Sequence, residues 1–403
     1  MRDGGRSDAT MSDSMARMDD PRADACATRI VWFLGPRPAS WNGVMRYSLM
    51  CIDLIPGGDG WRVDAIDIPA PPRSLRRYWT QFVVYPLRAV AAARAGAFVV
   101  LYQEDLAFLI PLVRFAGGRV GIVLHHVQRP AQACGFVEQL KAAYVRVTQS
   151  LIARADMVIT PSDVTAQEAV AEMGVSADRI QVVPNAFDDR HAPVDTQVRA
   201  RARSVLATRF GIDTGDALVV LNVGSDETRK NNATLFRALA LLERSKTVVL
   251  RVGQPLHQNN RRECVAIAEQ AGLDAHFIEH VDDETLGYFY QAADLYVSPT
   301  LHEGFGRTVI EAQTVGVPVI ASDLPVYRYT MGDSFVPVTD ATDAGEWARQ
   351  IERVAGDPSL QAELVRSGRE NARRFSSAAV GALLQRTLQR AVRDVPRATR
   401  ADA

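Results

Sequence analysis

The sequence has little cysteine chemistry to offer. Its 403 residues include four cysteines, Cys26, Cys51, Cys134 and Cys264, with no close pair and no CxxC spacing. That argues against a zinc site or a disulfide framework, and a reducing cytoplasm is the simplest setting. The seven histidines follow no metal-ligand spacing either. Neither sign of charge is in excess. The 46 Lys and Arg stand against 47 Asp and Glu, a formal net charge of −1, so nothing draws the whole chain to nucleic acid or to an anionic bilayer. No apolar run reaches the ~18 residues that would span a membrane. Residues 1–28 lack the apolar middle of a signal peptide and read as a disordered leader, with Met11, Met15 and Met18 as alternative starts.

What is present is an ordinary globular composition, 47% hydrophobic and 23% charged, in a chain long enough for two or three domains. Strand patterns at 29–35, 61–68, 97–102, 119–126, 155–162 and 180–186 alternate with helical stretches such as 137–155 and 164–174. A charged, irregular segment with an entry helix follows Asn185. A second series of strands then runs over 217–224, 246–253, 275–281, 293–300 and 317–323, again with helices between. Alternation of this kind predicts parallel sheets covered on both faces. The expected fold is therefore α/β, with two Rossmann-like doubly wound domains facing across a cleft. Their bounds are 29–190 and 191–375, and a C-terminal helix and tail over 376–403 pack back on the first domain. Ligands of such sheets sit outside the carboxyl ends of the strands.

The stretch HEGFGRTVIEA, 302–312, carries two acids separated by a glycine turn and a helix start. Glycines let a backbone approach a ligand closely, and the free N–H groups of a helix N-terminus attract phosphate. Glu303 in the loop can accept from sugar hydroxyls. Glu311 falls among apolar neighbours, where a ribose diol would supply the donors a buried carboxylate needs. Taken alone, the pair is equally compatible with a helix-cap acid and an exposed helix residue. Upstream, Gly224 ends a strand, and Arg229 and Lys230 stand just before a helix, where two cations could hold a phosphate. In the first half, Gly43 lies at a strand–helix turn. His125 and His126 end a strand, placed to hydrogen-bond a hydroxyl or to help protonate a leaving group.

Together these features resemble family 4 of the retaining glycosyltransferases of the GT-B fold, over about 30–385. The carrier is ADLYVSPTLHEGFGRTVIEAQTVGVPVIASDLP, which matches the family's E-x7-E signature. The resemblance implies that Glu303 contacts the donor sugar and that Gly304, Phe305 and Gly306 offer backbone N–H groups. It implies that Glu311 holds the nucleotide ribose, that Arg229 and Lys230 neutralise the diphosphate in place of a metal, and that His125 lies near the sugar. His126 stands where the family often has Asp, and Gly43 would pack against phosphate or acceptor. Arg307-Thr308 departs from the family's usual Leu-Pro.

The implied reaction is transfer of a hexose, with mannose one candidate, from a UDP- or GDP-linked donor to an acceptor hydroxyl with retained anomeric configuration. No metal or other cofactor is expected, and neither is nucleic acid. The acceptor would be a glycan or a lipid-linked molecule, in bacterial cell-surface polysaccharide or glycolipid synthesis. Residues 73–96 mix arginines with Trp79, Phe82 and Tyr85. They read either as an interfacial helix at the cytoplasmic face of the inner membrane or as a core helix with solvated arginines. A nucleotide-sugar epimerase or hydrolase of the same fold, or a non-catalytic partner of another transferase, are the rival functions.

Overall fold

A computed structural model describes residues 28–36, 43–55, 60–70, 74–127, 136–187, 194–243, 246–279 and 281–393. The expected leader, apart from Thr28, lies outside these residues. So do the joint near residue 190 and the tail beyond 393.

Runs of β-branched and aromatic residues build the first sheet. Its strands are β1 (Thr28–Pro36), β2 (Trp61–Ile68), β3 (Phe98–Leu101), β4 (Arg119–Val123), β5 (Met157–Thr160) and β6 (Ile180–Val182). All pair in parallel, in the order β2-β1-β3-β4-β5-β6. Ile30, Val31, Trp32 and Phe33 in β1 are almost wholly buried, and side chains of this kind contribute about 1.5–3 kcal/mol each on burial. Both faces are covered, which is why these strands read as continuous apolar runs rather than alternating ones.

The second sheet comprises β7 (Leu218–Val223), β8 (Thr247–Val252), β9 (Asp274–Ile278), β10 (Leu295–Ser298), β11 (Val319–Ser322) and β12 (Val336–Val338). It is also parallel, in the order β12-β11-β10-β7-β8-β9. The sequence pattern does not mark β12. It is three residues long with a central proline, and it pairs only with β11, the edge position to which proline is confined. The strand order reverses between β7 and β10, so their outgoing loops flank a switch point where ligands bind.

The helices that bear on the site are α1 (Gly43–Asp53), α2 (Tyr85–Arg94), α3 (Asp163–Met173), α4 (Thr196–Phe210), α5 (Asn232–Leu239), α6 (Asp283–Ala292), α7 (Arg307–Val315) and α8 (Ser377–Arg393). The expected entry helix is α4. Asp195 caps it by accepting from the Val198 N–H at 2.7 Å, and its buried Ala202 and Leu206 join the second domain's core. Ahead of α2, Leu75–Trp79 is a short helix and Thr80–Val84 widens into a π turn. Pro86 has no N–H to donate to the turn before it, which accounts for the widening. The tail returns: Val380, Leu384 and Leu388 of α8 sit in the first domain's core. The two segments that cross between domains lie side by side, with Phe187 bridged to Ser376 and its N–H donating to the Phe375 carbonyl at 2.8 Å.

Candidate active site

The loops after β7 and β10 are stitched together. Leu301 N–H donates to the Arg229 carbonyl at 2.7 Å. Beneath the first loop, Asp226 accepts from Arg251 at 2.7 Å and from Arg261 at 2.5 Å, all three side chains being nearly inaccessible. Arg251 also donates to the Ser225 carbonyl at 2.9 Å. This buried triad fixes the loop that carries Arg229 and Lys230. Asn231 then turns the chain into α5 with a left-handed φ of 53°, a conformation asparagine tolerates better than most residues. Lys230 and Arg229 thereby point at Glu303 on the facing loop.

Lys230 Nζ donates to Glu303 Oε2, and Arg229 reaches the same oxygen at 3.3 Å. Arg229 also holds Glu227 at 2.7 Å and the His302 carbonyl at 3.1 Å. The two cations are therefore engaged before any phosphate arrives. Burial alone would raise the Glu303 carboxyl, but Lys230 and Arg229 more than offset it and hold the pKa down at about 2. Glu303 is an anion at every physiological pH.

The EGFG turn brings the two domains into backbone contact. A Cβ at Gly304 would lie 2.0 Å from the His125 carbonyl oxygen, so no larger residue fits. The Gly304 carbonyl accepts from Ser162 Oγ of the first domain at 2.7 Å. Gly306 begins α7 with a φ of 87°, and a Cβ there would meet the Tyr327 ring at 2.4 Å. Phe305 turns inward, stacked on Phe187 and edge-on to Phe375, so only its backbone serves the cleft. Among the described residues this loop, Gly224, Arg229, Lys230 and the start of α7 face Gly43, His125 and His126 across a cavity of about 640 Å³. The cavity thus gathers every catalytic and substrate-binding candidate named from the sequence, while Trp79, Phe82 and Tyr85 lie outside it. Gly43 is uncrowded, with nothing within 4 Å of an added Cβ.

His125 packs edge-on to Tyr47, its Nε2 3.2 Å from the Tyr102 carbonyl. Burial depresses its pKa to about 4, so it is neutral near pH 7. His126 is lowered as well, by burial and by Arg229. Glu311 is held on both oxygens. Oε2 accepts from Tyr290 Oη at 2.9 Å, and Oε1 accepts from Arg307 at 3.1 and 3.2 Å.

Residues 31–186 match the glycosyl transferase 4-like domain, and residues 208–373 match glycosyl transferases group 1. The chain belongs to this glycosyltransferase family. A D-inositol 3-phosphate glycosyltransferase of Saccharomonospora viridis is 30% identical over 282 residues, which is 66% of this chain and 62% of that protein. One of the same name from Xylanimonas cellulosilytica is 29% identical over 62% of this chain and 60% of its own length. The matched stretch thus spans about three fifths of these relatives. Among solved structures, Anabaena Alr3699/HepE in complex with UDP and glucose superposes with a TM-score of 0.72 at 19% identity, covering 90% of this chain and 99% of that one. WaaG, a glycosyltransferase involved in lipopolysaccharide biosynthesis, gives 0.67 at 18% over 91% and 100%. At these identities the likeness is one of fold, and the fold is GT-B.

Two contacts of the candidate site carry no advance signal. Ser162 and Tyr290 reach the site only through tertiary packing. Arg307 is different, because its i,i+4 spacing to Glu311 was readable as an ion pair.

Proposed function

We propose that the protein transfers a hexose from a UDP- or GDP-linked donor to an acceptor hydroxyl, with retained configuration and without a metal ion. The observation that carries this reading is the convergence of Lys230 and Arg229 on Glu303, in a cavity also lined by the start of α7, at the switch point of the second sheet. Two cations and a helix N-terminus supply the positive field that a departing diphosphate needs. In the reaction, the bond from the anomeric carbon to the phosphate oxygen breaks while the acceptor oxygen approaches on the same face. The acceptor proton passes to the leaving phosphate. Positive charge grows on the sugar ring, beside a Glu303 held ionised by its neighbours. His125, neutral, hydrogen-bonds a sugar hydroxyl. Transfer from radiolabelled UDP- or GDP-sugars in EDTA tests the proposal. Donor turnover independent of any acceptor would favour a hydrolase or epimerase, and turnover only after metal addition would remove the metal-independent mechanism.

The acceptor side rests on a second observation. One face of residues 75–94 is buried through Tyr85, Ala89 and Ala93, while the other exposes Leu75, Trp79, Phe82 and Leu87 beside Arg76 and Arg88. Among the described residues no helix is long and apolar enough to cross a membrane. Exposed aromatics among arginines suit seating at an anionic bilayer surface, hence a lipid-linked acceptor at its cytoplasmic face. Co-sedimentation with anionic liposomes tests this, and no binding would leave a free glycan or the phosphorylated inositol named for the relatives as the acceptor.

A further inference from the structure

Arg307 occupies the first position of α7 and touches both domains. Its guanidinium bonds Glu311 Oε1, reaches Asn185 Oδ1 at 3.3 Å and lies over the Phe187 ring at 5.0 Å from its centroid. With Tyr290 on Oε2, Glu311 has no oxygen without a donor. Oε1 already accepts two bonds from Arg307 and Oε2 only one, so a ribose diol that engages both oxygens displaces Arg307 from Oε1. The released guanidinium, about a quarter exposed, would then stand in a closing cleft without an anion, which is costly. The charge balance points the same way. Around the cavity, Arg46, Arg229, Lys230 and Arg307 stand against Glu227, Glu279, Glu303 and Glu311, and Arg46 is itself paired with Asp283. The diphosphate thus enters a neutral cleft and must draw a cation away from its carboxylate. When the ligand is the nucleotide without its sugar, Arg307 is the cation whose carboxylate gains new donors, from ribose, in the same event.

We propose that nucleotide binding exchanges partners at Arg307: the ribose hydroxyls take Glu311, and the freed guanidinium turns onto the diphosphate as a third phosphate-binding cation. The inference rests on the donor-site reading above. It makes Arg307 a residue that couples recognition of ribose to recognition of phosphate. Planar and able to donate two parallel bonds, an arginine suits this exchange better than a lysine.

The test is titration of wild type, Arg307→Leu, Arg307→Lys and Glu311→Gln with inorganic pyrophosphate and, separately, with UDP and GDP. Melting temperatures confirm folding. Pyrophosphate carries no ribose, so it reads Arg307 as a phosphate ligand alone. Arg307→Leu should weaken pyrophosphate and the preferred nucleotide by roughly tenfold or more, with Arg307→Lys between. Glu311→Gln should weaken the nucleotide while tightening pyrophosphate, since it loosens the hold on Arg307. An unchanged pyrophosphate affinity in a folded Arg307→Leu protein would overturn the proposal and reduce Arg307 to a holder of Glu311. Tighter nucleotide binding in that variant would overturn it too, making Arg307 only a block. Should wild type bind neither pyrophosphate nor nucleotide, the donor-site reading itself fails, and this inference with it.

Discussion

The two walls of the cleft do different work with different chemistry. The second domain brings Arg229, Lys230, Glu303, Arg307 and Glu311, a set of paired charges on rigidly anchored loops. The first domain brings two depressed, neutral imidazoles, a glycine, backbone carbonyls and one cation, Arg46, already paired with Asp283 of the second domain. In the proposed reaction, one wall holds the charged leaving group and the other meets the acceptor hydroxyl. They are joined by close backbone packing at Gly304, by the Arg307–Asn185 hydrogen bond and by the Arg46–Asp283 ion pair.

The largest effects should fall on the charged wall. Removing Lys230 or Glu303 by alanine should cut transfer by about 10²–10³, the range for losing one preorganised electrostatic partner, with the melting temperature little changed. Comparable activity in a folded Glu303→Ala protein would break the comparison at its base. Next is Gly304→Ala. Its Cβ cannot share space with the His125 carbonyl, so the walls must part, and a displacement near 1 Å can cost about 100-fold in rate. Steady-state kinetics beside a thermal melt should show rate falling further than stability. If Gly304→Ala retains full activity, the walls do not depend on this contact. Smaller again, Ser162→Ala removes one bond to the Gly304 carbonyl and should cost about 1 kcal/mol of stability with a few-fold loss of rate.

The effect least visible at neutral pH is on pH dependence, and it separates the walls by their titrating groups. His125 has a folded pKa of about 4 against an ordinary 6.5. The unfolded chain therefore takes up a proton first. Its contribution to stability is complete above pH 6.5 and is lost as pH falls through about 4. Glu303, at about 2 against 4.5, contributes fully above 4.5 and loses its share only as pH falls toward 2. His125→Gln should flatten the melting-temperature profile between pH 6.5 and 4 and leave the more acidic limb. An unaltered profile would mean His125 is not the buried neutral group described.

The charged wall was also the legible one. Its residues lie in two short stretches, 222–231 and 302–312, where loop chemistry and spacing speak locally. The strands were readable because buried parallel strands are unbroken apolar runs, whereas β12, a three-residue edge piece around Pro337, leaves no such trace. The first-domain wall works through main-chain atoms, through Ser162, which meets Gly304 only once the domains are packed, and through Tyr47, which meets His125 only once the first domain is folded. No spacing in the sequence encodes that His125 lends its carbonyl, not only its ring, to the site. The state of the cations was equally hidden: Lys230 and Arg229 read as waiting for phosphate, but each is already paired with Glu303.

The most direct test of the division of labour is calorimetric titration of UDP and GDP into wild type and Lys230→Ala, both in EDTA. The account predicts that one nucleotide binds wild type without metal and binds the folded variant at least tenfold more weakly. Equal affinity for the two proteins, or binding that appears only when a divalent cation is restored, would contradict it.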